Sequence, residues 1–130
     1  MKIPFTKEIR VKAEDIDELN HVNNVRYIQW IQDISVEHWY SATKDILSKH
    51  YIWVVASHYI EYKRSAVLND KLIIETYVKD FDGSISNRVV NIKNSDTDKI
   101  NVTALTKWCL IDPETRRPLR IPDEILSLGL

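Results

Sequence analysis

The sequence predicts an α+β domain in which one long apolar helix lies on an antiparallel sheet. Three observations predict it. Large apolar residues recur at helical spacing over one segment, from Asn24 to about Tyr40. Four later segments are rich in β-branched and aromatic residues and are joined by short polar turns. One alternating segment precedes the helix. The 130 residues suit a single domain, 1–130, and 44% hydrophobic composition is enough to fill its core.

The elements follow in order. "EIRVKAE" sets Ile9, Val11 and Ala13 on one face, which predicts a half-buried strand. Tyr27, Trp30, Ile31 and Ile34 then follow helical spacing with little polar surface between them, so the helix is expected to be buried on most sides. "TKDILSK" reads as a further short helical turn. "YIWVVASHYIEYK" is the next strand. Asn69-Asp70 marks a turn, and "KLIIETYVKDF" sets Leu72, Ile74, Thr76 and Val78 on one face. Asp82-Gly83 signals a hairpin, "SISNRVVNIK" returns, "NSDTDK" turns again, and "INVTALTKWCLI" is the last long strand. Pro113, Pro118 and Pro122 keep the tail extended, and "DEILSL" reads as a short C-terminal helical turn. A single sheet of this kind needs its apolar face covered by the helix. Its long edges are liabilities that a second copy can cover, so a homodimer, or a tetramer of paired dimers, is expected.

Composition narrows the function. Nineteen acidic against 18 basic residues leave a net charge of −1, which disfavours nucleic acid or anionic membrane as the main partner, although Arg116, Arg117 and Arg120 cluster late. The N-terminal "MKIPFTKEIRVK" is charged and has no secretory apolar core, and no apolar run is long enough to cross a membrane. A cytoplasmic location is therefore expected. A lone Cys109 excludes an intramolecular disulfide within this sequence. No metal-ligand spacing is present, so neither metal nor cofactor is expected.

The chemistry concentrates in "DIDELNHVNNVRYIQWIQDI", where Asp17, His21 and Asn23-Asn24 immediately precede the helix. Taken alone, Asp17 is a turn or capping acid as readily as a general base, His21 a loop residue, and the asparagines helix caps. Tyr27 and Trp30 read first as core and second as walls of an apolar pocket. His58, on a strand, reads first as structural and second as a substrate-binding residue. Cys109 reads first as a small buried hydrophobe and second as the nucleophile of a Cys–His pair. Lys63, Arg64 and Arg88 are cations equally suited to a solvated surface or to phosphates.

"DIDELNHVNNVRYIQW" resembles the signature of hotdog-fold thioesterases. It is similar to the loop D-x-D-x-x-G-H-V-N-N-x-x-Y of the 4-hydroxybenzoyl-CoA thioesterase type, and "HVNNVRYIQW" is closer still to acyl-ACP thioesterases of plants and bacteria. "HYIEYKRSAVLNDKLIIET" and "TKWCLIDPETRRPLRIP" resemble later segments of the same family. The resemblance implies a helix wrapped by a strand and a four-stranded meander, a dimer with its active site at the subunit interface, and hydrolysis of acyl-CoA or acyl-ACP thioesters. Asp17 then matches the catalytic carboxylate, acting as base or nucleophile. His21 matches the histidine of the acyl-ACP group, and Asn24 the place where a helix N–H polarises the thioester carbonyl. Asn20 stands where the family usually has glycine, and asparagine tolerates the left-handed backbone such a turn needs. Leu19 replaces the asparagine of the plant enzymes and Ser65 a frequent proline. Gln32 stands at the bacterial acid position, while Asp33 fits the plant-like pattern. Tyr27, Trp30, His58, Lys63 and Arg64 are the expected substrate-binding residues. Two other functions fit the same fold: a hydroxyacyl thioester dehydratase and a non-enzymatic acyl-binding scaffold.

Overall fold

The alternating segments become strands of one sheet in a computed structural model, which describes residues 2–44 and 47–130. The elements are β1 (Phe5–Arg10), α1 (Asn24–Thr43), β2 (Ile52–Tyr62), β3 (Lys71–Asp82), β4 (Ile85–Asn94), β5 (Ile100–Ile111) and a short α2 (Asp123–Leu126). The sheet is antiparallel with strand order β1-β3-β4-β5-β2. One helix lies against it, which is the hotdog arrangement the resemblance implies.

Two expectations need correction. The first strand runs Phe5–Arg10 rather than along "EIRVKAE". The Asp15 carboxylate accepts from the Lys12 N–H at 2.8 Å and curls Ala13–Asp15 into a 3-10 turn, so the ladder ends although Val11 stays buried. The meander contains three strands, not four. Strand β2 pairs with β5, with Ile60 opposite Ala104, and β1 takes the place beside β3, with Ile9 opposite Leu72. The connection Lys63–Asp70 can extend about 26 Å, enough to cross three strand spacings of about 4.8 Å each. Of the "TKDILSK" turn, Asp45 and Ile46 lie outside the described residues, and Leu47–Lys49 is a 3-10 turn.

Helix α1 begins at Asn24 as expected and continues to Thr43, where Lys44 adopts φ 50° and its N–H donates to the Tyr40 carbonyl. It buries a stripe, not its whole circumference. Tyr27, Trp30, Ile31, Ile34 and Trp39 are buried, while Val25, Val36 and Tyr40 stay exposed, because a single sheet does not enclose a helix.

The inner face of the sheet is not uniformly apolar. One apolar cluster gathers Tyr27, Ile31 and Ile34 over Leu72, Ile74, Val90 and Ile92. A second gathers Trp39, Val78, Leu110 and the C-terminal Ile121, Ile125 and Leu130. Between them, Thr76, Arg88, Thr106 and His58 lie on β3, β4, β5 and β2. Arg88 pairs with Thr106, and Thr106 with His58, in register.

Candidate active site

Two aspartates one residue apart take opposite roles. Asp15 is 4% exposed. Its Oδ1 accepts from Arg26 Nε at 2.6 Å and its carbonyl from the Asn23 N–H at 2.9 Å, so it ties the loop to the first turn of α1. Asp17 is only half-buried. Its Oδ1 accepts from the Leu19 N–H at 2.9 Å and the His21 N–H at 3.4 Å, and its own N–H donates to the His21 carbonyl at 2.8 Å. This is a tight turn closed by the aspartate side chain. The role of turn acid is therefore real, and it leaves Oδ2 without a partner among the described residues. Asn20 holds φ 63°, the left-handed conformation anticipated for it, and its N–H donates to the Asp17 carbonyl.

The helix start is equally specific. Asn23 caps it, its Oδ1 accepting from the Val25 N–H at 2.9 Å, while the Arg26 N–H donates to the Asn23 carbonyl at 2.8 Å. The Asn24 N–H is left as the amide of this first turn with no partner among the described residues. It stands at the positive end of the helix dipole.

Asp17, His21, Asn24, Tyr27, Lys63 and Arg64 share the wall of one open cleft of about 380 Å³. Tyr27 is buried behind it. Its Oη accepts from the Ala66 N–H at 3.1 Å, and burial raises its pKa, so the phenol stays protonated. The backbone of Lys63 and Arg64 is held by Asn101, which is 1% exposed. Asn101's carbonyl accepts from both N–H groups and its Nδ2 donates to the Arg64 carbonyl at 3.1 Å. The cations themselves stay in solvent, Lys63 near Glu61 at 3.5 Å.

Three expected site residues lie elsewhere. Asn20 shapes the turn without lining the cleft. Trp30 packs edge-on against Tyr27 in the core. His58 sits over the sheet, its Nδ1 2.8 Å from Thr106 Oγ1 and its Nε2 3.4 Å from Gln32 Nε2, and burial lowers its pKa. Cys109 is half-buried with its Sγ 3.7 Å from Ser84 Oγ and does not reach the cleft. Among the described residues, no cluster of His, Cys, Asp or Glu is arranged to hold a metal ion, and no helix is long and apolar enough to cross a membrane.

Sequence reasoning missed the Asp15–Arg26 tie and the anchor at Asn101, for which the local pattern carries no signal. It also read Arg88 as a solvated or phosphate-binding cation, not as a buried one. The alternation of Ser86, Arg88, Val90 and Ile92 along β4 was the available sign that Arg88 points inward.

Comparison with known proteins agrees with this fold. The chain is 27% identical over 124 residues to the long-chain acyl-CoA thioesterase FadM of Escherichia coli, covering 91% of each chain. It is 29% identical over 86 residues to an oleoyl-acyl carrier protein thioesterase of Coriandrum sativum, covering 66% of this chain but only 23% of that enzyme. The fold matches Staphylococcus aureus SAV2348, solved in complex with CoA, with a TM-score of 0.89 at 21% identity, covering 98% of this chain and 82% of that one. The family model described as the thioesterase-like superfamily matches residues 11–128, and the chain belongs to that family.

Proposed function

We propose that this protein is a thioesterase that hydrolyses an acyl thioester, acyl-CoA before acyl-ACP, at the cleft before α1. The observation that carries the reading is the Asn24 N–H, without a partner among the described residues, lining one cavity with Asp17. Thioester hydrolysis needs those two groups. The N–H, at the positive end of the dipole, offers a hydrogen bond to the oxyanion that develops on the thioester oxygen. The carboxylate takes a proton from water as the water attacks the carbonyl carbon, or attacks that carbon itself. The C–S bond then breaks, the thiolate leaves, and a proton from His21 or solvent converts it to the thiol; in the second route the acyl group remains on Asp17 as an anhydride, which water cleaves to the free acid and the restored carboxylate. Asn20 contributes by holding the turn that aims Asp17.

Lys63 and Arg64 at the rim suit phosphate groups. FadM is named for acyl-CoA, SAV2348 was solved with CoA, and FadM matches this chain along nearly its whole length, which supports CoA as the carrier.

The assembly proposed is a two-fold dimer through β2. The two sheet edges differ. Strand β1 is short and charged, with Lys7, Glu8 and Arg10, whereas β2 carries Glu61 as its one charged residue and exposes Val54, Tyr59 and Tyr62. Antiparallel β2–β2 pairing would satisfy that edge. It would also place the start of one β2 beside the other copy's Lys63-Arg64, so each cleft gains a wall from the second copy. Trp30 and His58 are then proposed to act behind that wall, as support for the acyl pocket.

The test is thiol release over a panel of acyl-CoAs and acyl-ACPs, for wild type and Asp17→Asn. The expected outcome is turnover by wild type with a loss of about 10²–10⁴-fold in the variant. Unchanged turnover in the variant would remove Asp17 from the chemistry. No thiol release from any substrate would favour a binding protein.

A further inference from the structure

A second cavity of about 300 Å³ opens at the other end of α1, between the helix and strands β2, β4 and β5. Its walls are aromatic: Trp39, Tyr40, Trp53 and Trp108 all line it. Its lining carries the hydroxyls of Ser35, Ser86, Tyr40 and Tyr51 and two donors left unsatisfied. The indole Nε1 atoms of Trp53 and Trp108 are buried and have no hydrogen-bond partner among the described residues. Both are donors only. Arg88 lines the same cavity and is 4% exposed.

The surroundings of Arg88 leave its charge unanswered. Nη1 donates to His38 Nδ1 at 2.8 Å and to Thr76 Oγ1 at 3.1 Å, both neutral acceptors. His38 is kept neutral, its pKa lowered to about 4 by burial first and by Arg88 and Lys2 after it. Burial also pulls Arg88 down to about 10, which leaves it cationic at neutral pH. The ion pairs among the described residues include no carboxylate partner for Arg88. Buried charges in proteins are normally paired, and an arginine fork with two free indole donors is a set that a carboxylate satisfies. The volume falls at the small end of ligand pockets.

We propose that this cavity binds the carboxylate of an apolar acid, its anionic group on Arg88 and the Trp53 and Trp108 N–H groups and its hydrocarbon body along Trp39 and Tyr40. A carboxylate of this kind has two sources: a free fatty or aromatic acid, or the far end of a dicarboxylic acyl group.

Three of the four tryptophans line the cavity, so ligand entry can be read in tryptophan fluorescence and confirmed by calorimetry. Decanoate is the probe and decan-1-ol its neutral control. The expected result is binding of decanoate about 10- to 100-fold tighter than decan-1-ol, the range of a charge-assisted hydrogen bond. In Arg88→Gln that preference should vanish. Trp108→Phe, which removes one donor and keeps the ring, should reduce it even if Arg88→Gln does not fold. Equal affinity for acid and alcohol in wild type, no binding of decanoate, or an acid preference that survives in Arg88→Gln would each overturn the proposal. The source is separated by thiol release from the CoA monothioester of octadecanedioic acid, whose chain can follow the roughly 21 Å of α1 between Asn24 and His38, against octadecanoyl-CoA. A preference for the dicarboxylic substrate that is lost in Arg88→Gln assigns the site to the acyl group, and no preference assigns it to the free acid. This second arm rests on the thioesterase reading. A protein that releases no thiol fails that reading and leaves the binding measurement standing.

Discussion

Acidification should destabilise this protein through one histidine. His38 packs face to face on Phe5 with ring centroids 5.0 Å apart and accepts a hydrogen bond from Arg88 at 2.8 Å through Nδ1. That nitrogen cannot accept and carry a proton at once, and the site is close to two cations, Arg88 and Lys2. Burial first, and those two cations after it, lower its pKa from 6.5 to about 4. Above pH 6.5 the ring is neutral in the folded and the unfolded chain, and the stabilising contribution is complete. Between pH 6.5 and about 4 the unfolded chain takes up a proton that the folded chain refuses, so stability drops as pH drops. Below about pH 4 both states are protonated and the loss stops. The shift corresponds to about 3 kcal/mol in total, a large part of the stability of a small domain. The assay is urea unfolding of wild type and His38→Gln from about pH 7 to about pH 4, at one protein concentration. The variant's Oε1 can still accept from Arg88 but does not titrate. Carboxylates contribute equally to both proteins, so the wild type should lose about 3 kcal/mol more than the variant over this window. Parallel loss in the two proteins would refute the argument.

Other outcomes follow from the same geometry. Asp17→Asn keeps an Oδ1 that can accept from Leu19 and His21, so its unfolding free energy should change by less than about 0.5 kcal/mol, whereas Asp17→Ala should cost about 1–2 kcal/mol in addition to activity; chemical denaturation checks both. Ile31 is fully buried under the sheet, and Ile31→Ala should cost about 2–5 kcal/mol by the same measurement. Asn20→Val, a β-branched residue forced to φ 63°, should destabilise the turn by about 1–3 kcal/mol and lower kcat, while Asn20→Gly should leave both near wild type. Tyr59→Lys places a charge at the exposed centre of β2, where Tyr59 is 67% exposed. Light scattering should then report monomer in place of dimer, and a wild-type monomer would remove the β2 interface.

The periodicities in the sequence were sufficient for the main elements, though not for the bounds of β1. Period two along Leu72–Val78 and helical spacing from Tyr27 to Ile34 are local properties of the chain, and they predicted β3 and α1 because burial selects one face of each. Asn20 was readable through the resemblance, which has glycine at that position, and a left-handed backbone is a demand on one residue. The motif before α1 likewise placed Asp17, His21 and Asn24 at one helix end, since they are neighbours along the chain. What the sequence could not decide depends on residues distant in the chain. β2 joins β5 rather than β3 because strand partners are chosen by how the sheet closes around the helix, not by order. Asp15 and Asp17 are the same residue type two positions apart, and only the contact with Arg26 separates an anchor from a cleft acid. Lys63 and Arg64 reach the cleft because Asn101, on β5, holds their backbone. Arg88 bonds to His38 from the helix and Thr76 from β3, and it lines one cavity with Trp53 from β2 and Trp108 from β5. Those partners lie 12 to 50 residues away in sequence where they bond to it, and only the closed sheet brings them together.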